Sequence, residues 1–185
     1  LYSYWGKAKK TYAIIGTPYH VVDATIKVEE GIARDLGAVR ENSRYATEAK
    51  LINLAPDSTL NTADERIVHV CHHLGGTKIW QYRGTAPSRA MAMMMLNESH
   101  FIERKRKIFG IIRAHLHHFW QEKSSSRLMQ VLPCYQLPTP FMLKVMPESP
   151  PDLGSVRFTF HADGSWEDEF EPLPTKLVRH RINQA

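Results

Sequence analysis

Apolar residues recur at steps of three and four between residues 87 and 123, the longest regular pattern in the chain. This spacing is typical of a helix that covers a core with one face. Pro87 suits the first turn of a helix, and the serines after Lys123 suit its end. The pattern therefore predicts one long amphipathic helix over 87–123. Its apolar positions are Met91, Met94, Met95, Phe101, Ile102, Ile108, Phe109, Ile112, Leu116, Phe119 and Trp120.

Two β-hairpins are predicted on either side of this helix. Residues 66–74 and 77–83 are rich in β-branched and aromatic side chains, and they flank the pair Gly75-Gly76. Two glycines supply the positive φ that a tight turn requires. Residues 156–161 and 165–170 form a second pair of alternating segments around an Ala-Asp-Gly turn.

The first third of the chain predicts two strands and a weaker helix. Residues 11–15 form a short strand candidate, and residues 19–29 alternate between apolar and polar side chains as a half-buried strand does. Residues 30–54 suit a weakly amphipathic helix, which Pro56 would end.

These elements together predict an α+β fold. We expect an antiparallel sheet built from the two hairpins and the N-terminal strand, with the long helix packed on one face. The 185 residues can bury one core, so residues 11–172 are interpreted as a single domain. Within it, prolines in 133–151 favour an extended passage and no helix. Residues 1–10 form a basic, aromatic arm, and residues 173–185 form a basic tail.

Positive charge is the compositional feature that suggests a partner. The formal net charge is +5 and the isoelectric point is about 9.3, which favours anionic partners such as RNA. Aromatic residues beside the N-terminal lysines add a stacking surface that suits RNA. The predicted anion-binding residues are Lys7, Lys9, Lys10, Arg104, Lys105, Arg106, Lys107, Arg113, Lys176, Arg179 and Arg181.

Histidine is abundant, with ten in the chain, so metal binding was considered. His69, Cys71 and His73 alternate onto one face of a predicted strand and offer nitrogen and sulfur ligands to zinc. A structural zinc site needs a fourth ligand, which would have to come from a distant histidine. The favoured interpretation is that these three are ordinary strand residues, and no cofactor is predicted.

Catalytic signatures are missing from the sequence. No GxSxG, HExxH, Walker or GxGxxG pattern occurs, so a non-catalytic role is predicted. We expect an accessory subunit of a large ribonucleoprotein of the mitochondrial ribosome type, in contact with ribosomal RNA and neighbouring protein subunits. One alternative is an accessory protein–protein subunit of a mitochondrial respiratory complex. A second alternative is a metal-dependent hydrolase.

The compartment is predicted from weaker signals. No apolar run reaches the roughly 18 residues of a membrane span, and two separated cysteines, Cys71 and Cys134, suit a reducing environment. The start at Leu1 suits removal of an organellar transit peptide. The mitochondrial matrix is therefore expected, with the cytoplasm as the other possibility.

Overall fold

A mixed five-stranded sheet forms the centre of this α+β protein. The computed structural model describes residues 8, 10–16, 23–54, 66–76, 80–101, 107–124, 126–145, 150–161 and 165–173. The strands are β1 (Ala13–Ile14), β2 (Ala46–Thr47), β3 (Ala49–Asn53), β4 (Ile67–Cys71), β5 (Ile108–Arg113), β6 (Trp120–Ser124), β7 (Arg127–Val131), β8 (Gly154–Phe160) and β9 (Trp166–Pro172). The helices are α1 (Asp23–Asp35), α2 (Thr85–Leu96), α3 (Glu98–Phe101) and α4 (Pro140–Val145), with a 3-10 turn at Trp80–Tyr82.

The central sheet has the strand order β3-β4-β5-β7-β6. Its three middle strands, β4, β5 and β7, run parallel to one another, while β3 and β6 are antiparallel to their neighbours. The predicted antiparallel sheet is therefore wrong. Parallel neighbours need a crossover connection, and α2 and α3 lie within the one that joins β4 to β5.

The predicted single helix over 87–123 is also wrong. The helical part ends with α2 and α3, and the chain then forms β5 and β6. All six residues of β5 are buried. A continuous apolar run of this kind fits a central strand of a parallel sheet as well as it fits a helix.

A β-bulge explains why β5 resembles a helix in sequence. The pairing of β5 with β4 shifts register at Phe109, which is left as an extra residue. Ile108 and Ile111 consequently join the core on one face of the sheet, and Phe109 and Ile112 join the core on the other. The bulge thus produces a spacing of three within a strand.

The predicted hairpin around Gly75-Gly76 is wrong, although its first strand exists as β4. That strand pairs with β3 and β5, whereas residues 80–82 form a 3-10 turn. Residues 77–79 lie outside the described part of the chain. The hairpin that does belong to the central sheet joins β6 to β7, where the sequence analysis placed the end of the long helix.

The second predicted hairpin is present as the pair β8–β9. Its register runs from Gly154 opposite Pro172 to Phe160 opposite Trp166. It forms a separate two-stranded ribbon and does not extend the central sheet. The ribbon packs on the sheet face opposite α2, where Trp166 meets Phe109 edge-on at 5.3 Å.

The N-terminal part forms a small unit of its own, in which β1 pairs with β2 in parallel and α1 lies between them in sequence. The predicted strand over 19–29 is wrong where it is described, because helix α1 begins at Asp23. Glu30 holds this helix against β2 by accepting hydrogen bonds from the backbone of Tyr45 and Ala46. Gly37, with φ of 69°, lies just after the helix. The predicted helix over 30–54 consequently covers the end of α1, β2 and β3.

The proline-rich passage 133–151 contains the short helix α4, which the sequence analysis excluded. Pro140 is its first residue, where proline costs no hydrogen bond. The hydroxyl of Thr139 accepts a hydrogen bond from the Met142 backbone N–H at 3.2 Å and caps the helix. Most of the predicted arm 1–10 and tail 173–185 lies outside the described residues.

Within the described part of the chain, every helix is too short or too polar to traverse a bilayer.

Candidate docking groove along helix α2

An open groove of about 730 Å³ lies between α2 and the loop that follows β4. Its walls are mainly apolar, and Arg89 supplies a cation among them. The lining residues are Leu74, Gly75, Gly76, Tyr82, Thr85, Ala86, Arg89, Ala90 and Met93.

Helix α2 is apolar on more than the face it packs into the core. Met91 and Met94 are 4% and 8% exposed and contact the central sheet. Met93, Met95 and Leu96 are 54%, 45% and 78% exposed. A helix that covers a sheet in an isolated domain usually has polar residues on its outer face. The outer face of α2 is therefore an unusual apolar surface.

Two glycines at or beside the groove are in close contact with neighbouring side chains. A Cβ atom on Gly84, the residue before α2, would lie 2.6 Å from the Trp120 ring, so the helix starts directly against β6. A Cβ atom on Gly76 would lie 2.6 Å from the Leu116 side chain. A larger residue at either place would require the neighbouring side chain to move.

A cluster of histidines lies just after the carboxyl ends of β4 and β5. The His115 ring lies 5.4 Å from the His72 ring and 5.2 Å from the His73 ring, measured between centroids. His115 and His117 have positive φ values of 73° and 57°. This conformation is uncommon for residues other than glycine. It makes the loop after β5 turn sharply back on itself.

The predicted helix over 87–123 would have contained His115, His117 and His118, but the structure puts them in this loop. His118 is only 5% exposed. Burial, followed by the positive charge of Arg83, lowers the pKa of His118. The ring is therefore uncharged at neutral pH and acts as part of the core.

Asp152 joins this loop to the chain after β7. Its carboxylate accepts a hydrogen bond from the Phe119 N–H at 2.7 Å. Its backbone N–H donates to the His117 carbonyl, and its carbonyl accepts from the Cys134 N–H, both at 2.9 Å. The polar groups at this end of the sheet thus hold loops together.

The predicted metal candidates do not converge on one point. Among the described residues, no group of three or more His, Cys, Asp or Glu side chains is arranged to hold a metal ion. Burial and the charge of Arg113 lower the pKa of His69 to about 4. Cys71 is a free thiol that contacts the His73 carbonyl at 3.9 Å. The alternation onto one face of β4 therefore does not produce a ligand set in this structure.

The predicted anion-binding residues are only partly described. Lys10 and Lys107 are exposed. Arg113, in contrast, is 6% exposed and donates hydrogen bonds from Nη1 to the carbonyls of His69 and Ile112. Its guanidinium is thus occupied inside the protein. Lys7, Lys9, Arg104, Lys105, Arg106, Lys176, Arg179 and Arg181 lie outside the described residues.

Several other cations are neutralised by nearby carboxylates. Arg44 pairs with Glu48, and Arg157 pairs with both Glu169 and Glu171. Local pairing of this kind reduces the positive potential that a surface offers to phosphates. Further pairs are Arg34–Asp35, Lys50–Glu41, Lys123–Asp168 and Arg127–Glu98.

The groove was not predicted from the sequence, although a signal for it was present. Residues 90–96 are apolar without interruption, which is more than one face of a helix can bury. Gly75-Gly76 was interpreted as a hairpin turn, and so the loop that forms the opposite wall was missed. No family model, curated protein or solved structure matches the chain.

Proposed function

We propose that this protein is a non-catalytic subunit of a larger assembly and that it holds a neighbouring protein subunit in the groove along α2. The observation that carries the proposal is the exposed apolar surface of this groove and of the helix beside it. Tyr82 and Met93 line the groove and are 57% and 54% exposed. Large exposed apolar patches mark interaction sites, and methionine and aromatic residues are enriched in them.

The chemistry of the lining favours protein over RNA as the occupant. Surfaces that bind single-stranded RNA combine aromatic residues with a positively charged track along the backbone. In the described part of the lining, Arg89 is the one cationic residue, and the other residues are apolar, glycine, threonine or tyrosine. If an RNA backbone occupied the groove, most of the apolar side chains would face charged or polar groups of the RNA.

The assembly itself is proposed to be a ribonucleoprotein of the mitochondrial ribosome type. The net charge of +5 supports an RNA-rich neighbourhood. So do the exposed side chains of Lys10 and Lys107. In that setting the cations contact RNA without base specificity, while the groove contacts protein. An accessory subunit of a respiratory complex is the alternative, because the apolar groove serves either assembly.

The proposal is tested by the size of the particle that contains the full-length protein. We would express tagged wild type, Met93→Asp and Ile32→Asp in the source cells and separate the lysates on a density gradient, with and without ribonuclease. Ile32 is a matched control because it is also 54% exposed but lies on α1. The expected result is that wild type and Ile32→Asp migrate with a large particle, while Met93→Asp shifts to the monomer position.

Two results would overturn the proposal. One is Met93→Asp remaining in the particle to the same extent as wild type. The other is migration of the wild type as a monomer. A photoreactive amino acid at position 93 identifies the class of occupant in the same particles. A cross-link to protein is expected, and a cross-link to RNA alone would show that the groove binds nucleic acid.

A further inference from the structure

We propose that the occupant of the groove is an amphipathic helix of the neighbouring subunit, which presents an apolar stripe to α2 and a carboxylate to Arg89. This inference rests on the proposed function and names the chemistry of the partner. The observations that carry it are the charge in the groove, the arrangement of its apolar residues and the nature of its walls.

Arg89 indicates the charge of the partner. It lines the groove on the same helix as the apolar residues Ala86 and Ala90. Within the described part of the chain, its guanidinium forms no ion pair, unlike Arg44 and Arg157. A carboxylate meets guanidinium with two parallel hydrogen bonds, and burial by the surrounding apolar contacts strengthens them. An acidic residue on the partner would therefore satisfy Arg89 once the groove is covered.

The apolar residues of α2 indicate the shape of the partner. Ala86, Ala90 and Met93 lie four and then three residues apart, so they share one face of the helix over about 10 Å, or two turns. Among the described residues, Leu74, Gly75, Gly76 and Tyr82 line the groove outside the helix. A partner helix with apolar residues at similar steps would fill this space over two turns.

The walls favour a helix over an extended peptide. An extended peptide gains most of its affinity from backbone hydrogen bonds to an open strand edge. The described lining comes from α2, the 3-10 turn and the loop after β4, and none of it belongs to a strand. A helix satisfies its own backbone hydrogen bonds and needs only side-chain contacts. The described lining offers mainly side chains for such contacts.

Binding of designed peptides to the purified full-length protein tests the inference. The probe is a fluorescein-labelled peptide of about 14 residues with leucine at every third or fourth position and one variable position beside this stripe. Glutamate, glutamine and lysine versions are compared by fluorescence anisotropy. We expect the glutamate peptide to bind wild type at least about tenfold more tightly than the lysine peptide. Arg89→Glu is expected to reverse this preference.

Arg34→Glu is the matched control, because Arg34 is an exposed arginine on α1, away from the groove. It should retain the wild-type preference. Equal affinity of the three peptides for wild type would overturn the carboxylate contact. Equal binding of a peptide with proline at its centre would overturn the helical form, since proline breaks a helix.

The peptide experiment can fail while the proposed docking function still holds. If the peptides bind without preference while Met93→Asp leaves the large particle, this inference fails and the docking role stands. Competition by an oligouridylate that also removes the charge preference would assign the groove to RNA and overturn the inference. Self-association of wild type that Met93→Asp abolishes, with no peptide binding, would assign the groove to a second copy and overturn it likewise.

Discussion

Gly110 of β5 lies so close to Leu128 of β7 that a Cβ atom on Gly110 would be 2.5 Å from the Leu128 carbonyl oxygen. The two residues are paired in the parallel centre of the sheet. The atom in the way belongs to the backbone of a fully buried strand residue, so it cannot rotate aside as a side chain does. The position thus requires glycine because of close packing between strands.

Gly110→Ala is expected to lower the free energy of unfolding by about 2–3 kcal/mol, because the two strands must move apart to admit the methyl group. Urea denaturation measures the change. Gly31→Ala is the control, since a Cβ atom there meets nothing within 4 Å and the position is helical. Alanine should raise the stability there by roughly 0.5–1 kcal/mol. Similar shifts of the same sign in both variants would contradict the close contact.

Truncation of methionine to alanine is expected to reduce the stability much more on the buried face of α2 than on its exposed face. Met91 is buried against Ile108 and Ile111, so Met91→Ala should cost about 2–4 kcal/mol by leaving a cavity. Met93 is 54% exposed, so Met93→Ala should change the stability of the isolated protein by less than about 0.5 kcal/mol. Thermal and urea unfolding check both values. A large loss in Met93→Ala would mean that this face is core and not a docking surface.

Asp168 anchors the β8–β9 ribbon to the central sheet. Its side chain is 5% exposed, it pairs with Lys123 of β6, and it accepts a hydrogen bond from Gln121 Nε2 at 2.5 Å. Asp168→Ala removes both contacts between the ribbon and β6 and is expected to cost about 1–3 kcal/mol. The ribbon should also become more sensitive to limited proteolysis, which mass spectrometry of the fragments would show.

Glu169 is the matched control for Asp168, because it is the next residue on β9 and is 66% exposed. Its ion pair with Arg157 is at the surface, so Glu169→Gln should change stability by less than about 0.5 kcal/mol. Equal effects of Asp168→Ala and Glu169→Gln would rule out the anchoring role.

Buried histidines predict a loss of stability in mild acid. The pKa of His69 is lowered from 6.5 to about 4 in the folded protein, with burial as the main cause. Below pH 6.5 the unfolded chain binds a proton that the folded chain excludes, so stability falls as the pH decreases from about 6.5 to about 4. Above that window, this histidine contributes no pH dependence. His118 acts in the same direction.

Urea midpoints measured between pH 7 and pH 5 test this expectation. The decrease of stability with falling pH should be smaller in His69→Gln than in wild type. Glutamine does not bind a proton in the unfolded chain, so this contribution to the pH dependence is lost. His161→Gln is the control, since the His161 side chain is 48% exposed. It should keep the wild-type slope. An unchanged slope in His69→Gln would mean that this ring is solvated in the folded state.

Local patterns gave correct information where a segment depends on its own neighbours. The alternating residues of β8 and β9 pair in register as expected. Such a hairpin is formed by two adjacent segments, so its signal is contained in a short stretch of chain. The apolar character of β4 and β5 was equally visible. It showed that these residues are buried, although it did not show in which secondary structure.

The candidate groove could be anticipated only in part. Residues 90–96 are apolar without interruption, and the sequence analysis included a protein–protein subunit among its alternatives. That Arg89 and Leu74 line one groove depends on the tertiary structure. Contacts between segments that are distant in the chain leave no periodic signal in either one.

The sequence by itself determined that the fold is α+β and that stretches such as residues 67–71 and 108–112 are mainly apolar. The tertiary structure decided that residues 108–113 form a central parallel strand and that Arg113 lies inside. The physical reason is that a spacing of three arises both from a helical turn and from a bulged strand buried on two faces. Only the strands on either side of β5 distinguish the two.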